Sequence, residues 1–317
     1  MKGAPVYQRR EMKPIVWFLH LAPHAKRGSV ALRCDQLSKI GSLFLGERFE
    51  FRTLAIPTPS TGGQTEAIDP VRGGVVILSK STIGHLEPEA FLWLKRHAIA
   101  VLADYIDRSL RSPFQDEIDL HIAASRAFEA IVKRKMPGGR VRYLPHHADL
   151  RLHGVQIRSS DRLKCVYVGH PRNNAVDKDL RSRLTVLAAR NSGSFGQLAG
   201  RLREFNLHLN VRTPSKTRIT SRKPPTKIVT AATLGANVLL QDNVDDALDL
   251  LGSEYPFLLP ESDAPTVRTA LDRAEALYGG PEWQRGLEIM AEVAWLHSPA
   301  KVAAELDAIL TEILGGP

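Results

Sequence analysis

Short apolar, β-branched segments alternate with helical patterns through the first half of the chain. A helix between each pair of successive strands predicts βαβ units and a parallel sheet covered on both faces. The predicted strands are residues 14–20, 49–56, 75–79, 99–104, 120–125 and 141–145. The helical patterns between them include residues 30–40, 88–97 and 126–134.

The alternation begins again after residues 148–161, a polar segment rich in turn-forming residues that predicts a hinge. Strands are predicted at residues 164–169, 207–212, 237–240 and 256–259, with only helical stretches between the first two. Helices are predicted at residues 226–234 and 244–251, before a helical tail over 265–314. The sequence therefore predicts an α/β protein of two Rossmann-like, doubly wound domains, roughly 1–155 and 156–317, facing a central cleft.

Composition excludes several classes of protein. The 317 residues are 43% hydrophobic and 24% charged, as in soluble globular proteins, and no apolar run reaches the ~18 residues of a membrane span. The apolar stretch at 15–21 is too short for a signal peptide. Cys34 and Cys165 lie far apart and have no metal-ligand spacing. We therefore expect a cytoplasmic enzyme or binding protein.

The net charge of +9 predicts an anionic partner, such as nucleic acid, an anionic membrane or a phosphorylated small molecule. Residues 211–227 hold six basic residues, no acid and no aromatic residue, which disfavours stacking on nucleic-acid bases. A compact phosphate site and no nucleic-acid partner are the better prediction. Residues 241–263 hold seven acids and no base, and the acids at 242–249 are expected on the exposed face of a helix. The alternative is that one of them contacts a ribose or the acceptor.

The basic start of the chain leaves two interpretations open. Lys2, Arg9, Arg10 and Lys13 could hold the protein peripherally against an anionic membrane, at its inner face, or form a disordered tail.

The segment at 222–240 carries the most informative local pattern. Pro224 and Pro225 predict a helix start that Thr226 caps or opens, and Gly235 predicts its end. Lys227 and Thr230 share one helix face, with Arg222 and Lys223 just before it. Because basic side chains at a helix amino terminus oppose the helix dipole, an anion is expected to complete this site. The alternative is a solvated basic turn before an ordinary helix.

These residues resemble the donor-binding segment of GT-B glycosyltransferases, in which a Lys-Pro-x-x-Lys helix start precedes Gly-x-x-Val-Leu, here 235–239. The run Tyr-Leu-Pro-His-His-Ala-Asp at 143–149 resembles the segment that joins the two domains of that fold. Val-Gly-His-Pro-Arg at 168–172 resembles the glycine loop where the donor's phosphates lie. Many retaining members carry two glutamates eight residues apart, and here Arg222 and Thr230 stand at about those places. The resemblance therefore leaves open whether the reaction inverts or retains configuration.

The resemblance implies a metal-independent transferase of polysaccharide biosynthesis, moving a hexosyl or related sugar from a nucleotide-activated donor to a glycan, lipid or other hydroxyl acceptor. It implies no cofactor, and it implies that one of the last two helices packs back on the first domain. The sequence does not specify the base or the sugar of the donor, the acceptor or the oligomeric state. Two alternatives remain: a nucleotide-sugar epimerase of the same fold and a non-catalytic nucleic-acid-binding protein.

Within this resemblance each candidate residue takes a role. Cations and backbone amides would stabilise charge on the departing nucleotide, and glycine would let the backbone approach a phosphate. The predicted donor-binding residues are Gly169, His170, Arg172, Arg222, Lys223, Thr226, Lys227 and Thr230. An inverting reaction also needs a base for the acceptor hydroxyl, predicted first as Asp104 and then as His85 or His24, with Asp107 beside them. One Asp-Lys-Asp tripeptide at 177–179 is the weak metal candidate, and we expect no metal.

Overall fold

The computed structural model describes residues 13–108, 110, 113–170, 179–211, 223–244 and 246–315, which form two parallel sheets. The strands of the first sheet are β1 (Ile15–Leu21), β2 (Glu50–Ile56), β3 (Val75–Ser79), β4 (Ala100–Asp104), β5 (Leu120–Ala123) and β6 (Val141–Tyr143), in the order β2-β1-β3-β4-β5-β6. The strands of the second are β7 (Cys165–Gly169), β8 (Leu184–Ala188), β9 (Leu207–Asn210), β10 (Asn237–Gln241) and β11 (Leu258–Leu259), in the order β11-β10-β9-β7-β8.

Helices cover these sheets. In the first half they are α1 (Leu37–Leu45), preceded by an α-helical turn at Gly28–Val30 and a π-helical turn at Ala31–Gln36, α2 (Gln64–Ala67), α3 (Lys80–Ile83), α4 (Pro88–His97) and α5 (Arg126–Lys135). In the second half they are α6 (Ser192–Ala199), α7 (Thr226–Leu234), α8 (Ala247–Leu251), α9 (Ala264–Ala276), α10 (Pro281–Leu296) and α11 (Pro299–Ile313). The predicted fold class of two parallel-sheet α/β domains is confirmed.

Strand β8 was not predicted from the sequence. Residues between Gly169 and Leu207 were predicted to be helical, but β8 lies there and pairs with β7 at the edge of the second sheet. Only two of its residues, Leu184 and Leu187, are buried, and they lie three positions apart, while Val186 is exposed. A short, half-exposed edge strand lacks the continuous apolar run that marks a central parallel strand, so its pattern is easily mistaken for a helix face.

Each sheet has a point at which its strand order reverses. In the second sheet β7 pairs with β8 on one side and β9 on the other, so the order reverses at β7. In the first sheet β1 plays the same part between β2 and β3. Ligands of doubly wound sheets bind beyond the carboxyl ends of the strands at such points, so a ligand site is expected beside the residues that follow β7.

The last helix returns to the first domain, as the resemblance implied. Val302, Leu306 and Leu310 of α11 are fully buried and share one core with Val16 and Phe18 of β1. That core lies on one face of the first sheet, and a second apolar core covers the other face. The first domain is therefore completed by residues from far along the chain.

Asp246 joins the two domains. Its carboxylate accepts hydrogen bonds from the backbone amides of Arg126, at 2.7 Å, and Ala127, at 3.1 Å, in the first turn of α5. A carboxylate there complements the positive end of the helix dipole. The prediction that residues 242–249 form an exposed acidic helix face is wrong for Asp246, because its side chain is buried in this contact.

Candidate functional site

A cavity of about 320 Å³ lies between the domains, at the point where the second sheet reverses its order. From the second domain it is lined by residues that include Gly169, Lys223, Thr226, Lys227 and Thr230. From the first domain and the joining segment come Gly28, Leu32, Ile106, Asp107 and His146, among others. Most of the donor-binding residues predicted from sequence therefore meet in one cavity.

A second cavity of about 220 Å³ continues the first. The two share Leu32, Phe195 and Thr226, and the second is also bounded by Arg151 and Asn191. The guanidinium of Arg151 lies 5.3 Å from the centre of the Phe195 ring and donates to both oxygens of Asp149, at 2.8 and 2.5 Å. The cleft thus has two connected compartments, and the one that holds Lys223 and Lys227 is called the basic compartment.

Gly169 needs to be glycine for a geometric reason. Its φ of 157° lies in a region that other residues rarely adopt, and a Cβ there would stand 3.3 Å from the Tyr167 hydroxyl oxygen. The backbone at the end of β7 therefore opens to the cavity without a side chain in the way. A negatively charged group can approach this backbone closely.

Helix α7 has the bounds expected from the sequence. It begins at Thr226 after Pro224 and Pro225, and Gly235 ends it with a φ of 76° and a bond from the Ala236 amide to the Ala231 carbonyl. No described side chain caps its amino end. The amino end of α7, which carries the partial positive charge of the helix dipole, lies at the wall of the cavity, where Thr226 and Lys227 are lining residues.

Lys227 is held in place by an aromatic ring. Its ammonium lies 4.0 Å from the centre of the Tyr167 ring, a cation–π distance. Tyr167 is a buried residue of β7, so its ring holds a fixed position against which the lysine ammonium packs. His208 of β9 is buried, and burial together with the charge of Lys227 lowers the pKa of its ring to about 4. At pH 7 this ring is therefore neutral and adds no positive charge to that of Lys227.

Asp104, the first candidate base, occupies a structural position. Its carboxylate accepts a bond of 2.7 Å from Nε of Arg33, and both side chains are almost completely buried. Nη1 of Arg33 also donates to the backbone carbonyls of Leu144 and Pro145. Asp104 does not line the cavity. A base must reach the acceptor hydroxyl, so this geometry argues against the predicted catalytic role.

Replacement of Asp104 by asparagine should destabilise the protein. Removing one partner of a buried ion pair leaves the other charge uncompensated, which typically costs about 3–5 kcal/mol. We expect a loss of this order in the free energy of unfolding, measured by chemical denaturation. Asp69→Asn, which breaks the exposed pair with Arg72, should change it by less than about 1 kcal/mol. A stable Asp104→Asn protein that has lost turnover would restore the catalytic assignment.

His24 and His85 lie near each other at the carboxyl edge of the first sheet but do not line the cavity. His24 ends a turn after β1, and partial burial together with Arg27 lowers the pKa of its ring. His85 is exposed after α3. The structure therefore brings neither histidine to the donor-binding residues.

The remaining predicted donor-binding residues are His170, Arg172 and Arg222. His170 follows β7 and is half-buried, but it is not among the residues that line the cavity. Arg172 and Arg222 lie outside the described residues, as do the first two residues of the Asp-Lys-Asp tripeptide at 177–179. Within the described ranges no group of three or more His, Cys, Asp or Glu side chains is arranged to hold a metal ion.

Asp107 is the acidic residue that does face the cleft from the first domain. Its carboxylate accepts a bond of 2.6 Å from Nζ of Lys80 and remains 22% exposed. The preceding Ile106 has a φ of 60°, a strained value for a β-branched residue. Strained backbone of this kind concentrates at functional sites. The sequence placed Asp107 after the right strand but gave no reason to prefer it to Asp104.

Comparisons with known proteins support the fold. Neither a family model nor a curated protein matches the chain in sequence. Among solved structures it is similar to a sucrose-phosphate synthase from Thermosynechococcus elongatus (TM-score 0.65, 14% identity, covering 96% of this chain and 100% of that one). It is also similar to a glycosyltransferase from Rickettsia africae ESF-5 (0.66, 9%, 96% and 100%) and to Anabaena HepE in complex with UDP-glucose (0.58, 11%, 94% and 99%). At these identities the comparisons show a shared fold, the GT-B arrangement of two α/β domains.

The described helices also bear on membrane insertion. None of them combines the length and the apolar character that crossing a bilayer requires.

Proposed function

We propose that the protein is a glycosyltransferase that moves a sugar from a nucleotide-activated donor to a hydroxyl acceptor. The observation that carries this proposal is the meeting of Gly169, Lys223, Lys227 and the amino end of α7 in one cavity at the reversal point of the second sheet. The similar folds include a solved complex with UDP-glucose, which supports a nucleotide-sugar as donor.

The donor diphosphate is assigned to the basic compartment. The backbone at Gly169 allows close approach, and the first-turn amides of α7 and the ammonium groups of Lys223 and Lys227 supply positive charge. As the bond between sugar and phosphate breaks, negative charge grows on the departing nucleotide. Donors fixed before the reaction stabilise that charge without reorganisation. Thr230 adds a hydroxyl on the same face of the helix.

The acceptor is assigned to the first domain, with Asp107 as the base. Its carboxylate lines the cavity across from the donor-binding residues, and Lys80 fixes its orientation. In an inverting transfer this carboxylate would take the proton of the acceptor hydroxyl as the oxygen attacks the sugar. The transferred group would be a hexose or related sugar, and the acceptor a glycan or a lipid-linked chain.

The remaining assignments extend the same proposal. The reaction would need no metal ion, because the described cations and helix amides can take over the stabilisation of the leaving group. No further cofactor is proposed. The protein would act in the cytoplasm, in polysaccharide biosynthesis, and the basic residues at the start of the chain would favour contact with an anionic membrane at its inner face.

A nucleotide panel tests the proposal. UDP, GDP and CMP are added separately, and the unfolding temperature is followed; a nucleotide that binds the folded state must raise it. We expect one of them to do so, and we expect slow hydrolysis of the matching nucleotide-sugar. DNA or RNA that instead raises the unfolding temperature in a salt-dependent way, with no nucleotide effect, would favour a nucleic-acid-binding protein and contradict the proposal.

A further inference from the structure

His146 combines deep burial with access to the cleft. It lies after β6 in the segment that joins the domains, and its side chain is 2% exposed. It nevertheless lines the cavity, together with Gly169 and Lys227. The residue therefore touches the space assigned to the ligand while being shielded from bulk solvent.

The two ring nitrogens of His146 have no hydrogen-bond partner among the described residues. The neighbouring His147 contrasts with it, because its ring nitrogens lie 2.6 and 2.8 Å from the carbonyl oxygens of Ala148 and Leu32. Buried polar atoms in proteins are nearly always hydrogen-bonded, so an unsatisfied pair at a cavity wall needs an explanation. A ligand group in the cavity would supply it.

The surroundings fix the position of His146. Nδ1 of His297, at the end of α10, donates to the His146 carbonyl over 2.7 Å, and the rings of His146 and His147 are stacked with centres 6.0 Å apart. Burial holds the pKa of His146 well below its ordinary value, with nearby Arg33 adding to the effect. The ring is therefore neutral at pH 7.

A neutral imidazole carries one donor and one acceptor. That combination matches a sugar hydroxyl, which also donates and accepts. A phosphate, by contrast, offers only acceptors and is better served by the lysines across the cavity.

From this geometry we infer that His146 hydrogen-bonds a hydroxyl of the transferred sugar and so helps to select which sugar is accepted. The inference rests on the proposed function, since it assumes a nucleotide-sugar in the cavity. The competing explanation is a buried water. Nη2 of Arg33 and Oδ1 of Asp104 also lack partners among the described residues, and such groups commonly bind internal water.

The test compares UDP with UDP-glucose, titrated calorimetrically against wild type, His146→Ala and His146→Gln. A contact with the sugar predicts that His146→Ala binds UDP like wild type but binds UDP-glucose about tenfold more weakly. His146→Gln keeps a donor and an acceptor and should recover part of the loss. His121→Ala removes another buried histidine of the first domain, outside the cavity, and should leave both affinities unchanged.

Three results would overturn the inference. Equal affinities in His146→Ala and wild type for both ligands would leave water or packing as the role of the ring. Equal weakening of UDP and UDP-glucose, with a lower unfolding temperature, would make the residue structural. If wild type binds another nucleotide of the panel instead of UDP, the same comparison is made between that nucleotide and its sugar conjugate; if it binds none of them, the proposed function itself fails, and this inference falls with it.

Discussion

Replacing Lys227 by alanine should weaken nucleotide binding by about ten- to a hundredfold. A charge-assisted contact with a diphosphate contributes about 1.5–3 kcal/mol, which corresponds to that range of affinity. Lys227 lines the cavity beside the amino end of α7, and the Tyr167 ring holds its ammonium there. The measurement is a titration of the nucleotide that the panel identifies, against wild type and variant.

The terminal helix offers a matched control for Lys227. The ammonium of Lys301 lies 3.9 Å from the centre of the Trp295 ring, so Lys301→Ala removes a cation–π contact of nearly the same length, on a helix outside the cleft. We expect this variant to bind nucleotide like wild type. If Lys227→Ala also binds like wild type, the basic segment is a solvated turn and the assigned phosphate site is wrong.

Asp107→Asn should lower turnover by about 10²–10⁴-fold while nucleotide affinity stays unchanged. Asparagine keeps the shape of aspartate but cannot take a proton from the acceptor, and general base catalysis typically contributes a factor of this size. Steady-state kinetics with the identified donor measures the first quantity, and titration of the nucleotide measures the second.

Asp119 provides the control for Asp107. Its carboxylate pairs with Lys95 at 2.6 Å, the same distance as in the pair between Asp107 and Lys80, and its exposure is similar. Asp119→Asn should leave turnover unchanged, because it does not line the cavity. Normal turnover in Asp107→Asn would exclude it as the base. A product of retained configuration would remove the need for such a base.

The bounds of α7 could be predicted because they depend on residues next to each other in the sequence. Pro224 and Pro225 restrict the backbone before α7, and Gly235 supplies the left-handed conformation that ends it. These constraints act over a few residues, so they can be read from a single segment. The central strands of the first sheet, β1, β3, β4 and β5, were predictable for a similar reason, since they are buried on both faces and appear as apolar runs.

The choice between Asp104 and Asp107 depends on a residue far away in the chain. Both follow the apolar residues of β4, and nothing nearby separates their roles. What separates them is Arg33, on the π-helical turn before α1, which pairs with Asp104 and leaves Asp107 to face the cleft. Arg33 and Asp104 are 71 residues apart, and a pair so far apart cannot be recognised from the periodicity of the sequence.

Asp246 illustrates the same limit. Its neighbours include several acids, and an acidic run usually lies on a solvated face. Only the approach of α5 from the other domain shows that its carboxylate has a structural task. Contacts between the domains therefore could not be predicted from the sequence, whereas most of the strands and helices could.

The return of α11 to the first domain has a consequence for how the chain acquires its structure during synthesis. The ribosome delivers the six strands of the first sheet long before residues 299–313, which cover one face of that sheet. Until then Val16 and Phe18 lack the apolar contacts that α11 supplies, and the newly made domain exposes apolar surface that can aggregate. The first domain is thus synthesised first, but its core is completed only by the last helix. It can be complete only after the second domain has left the ribosome.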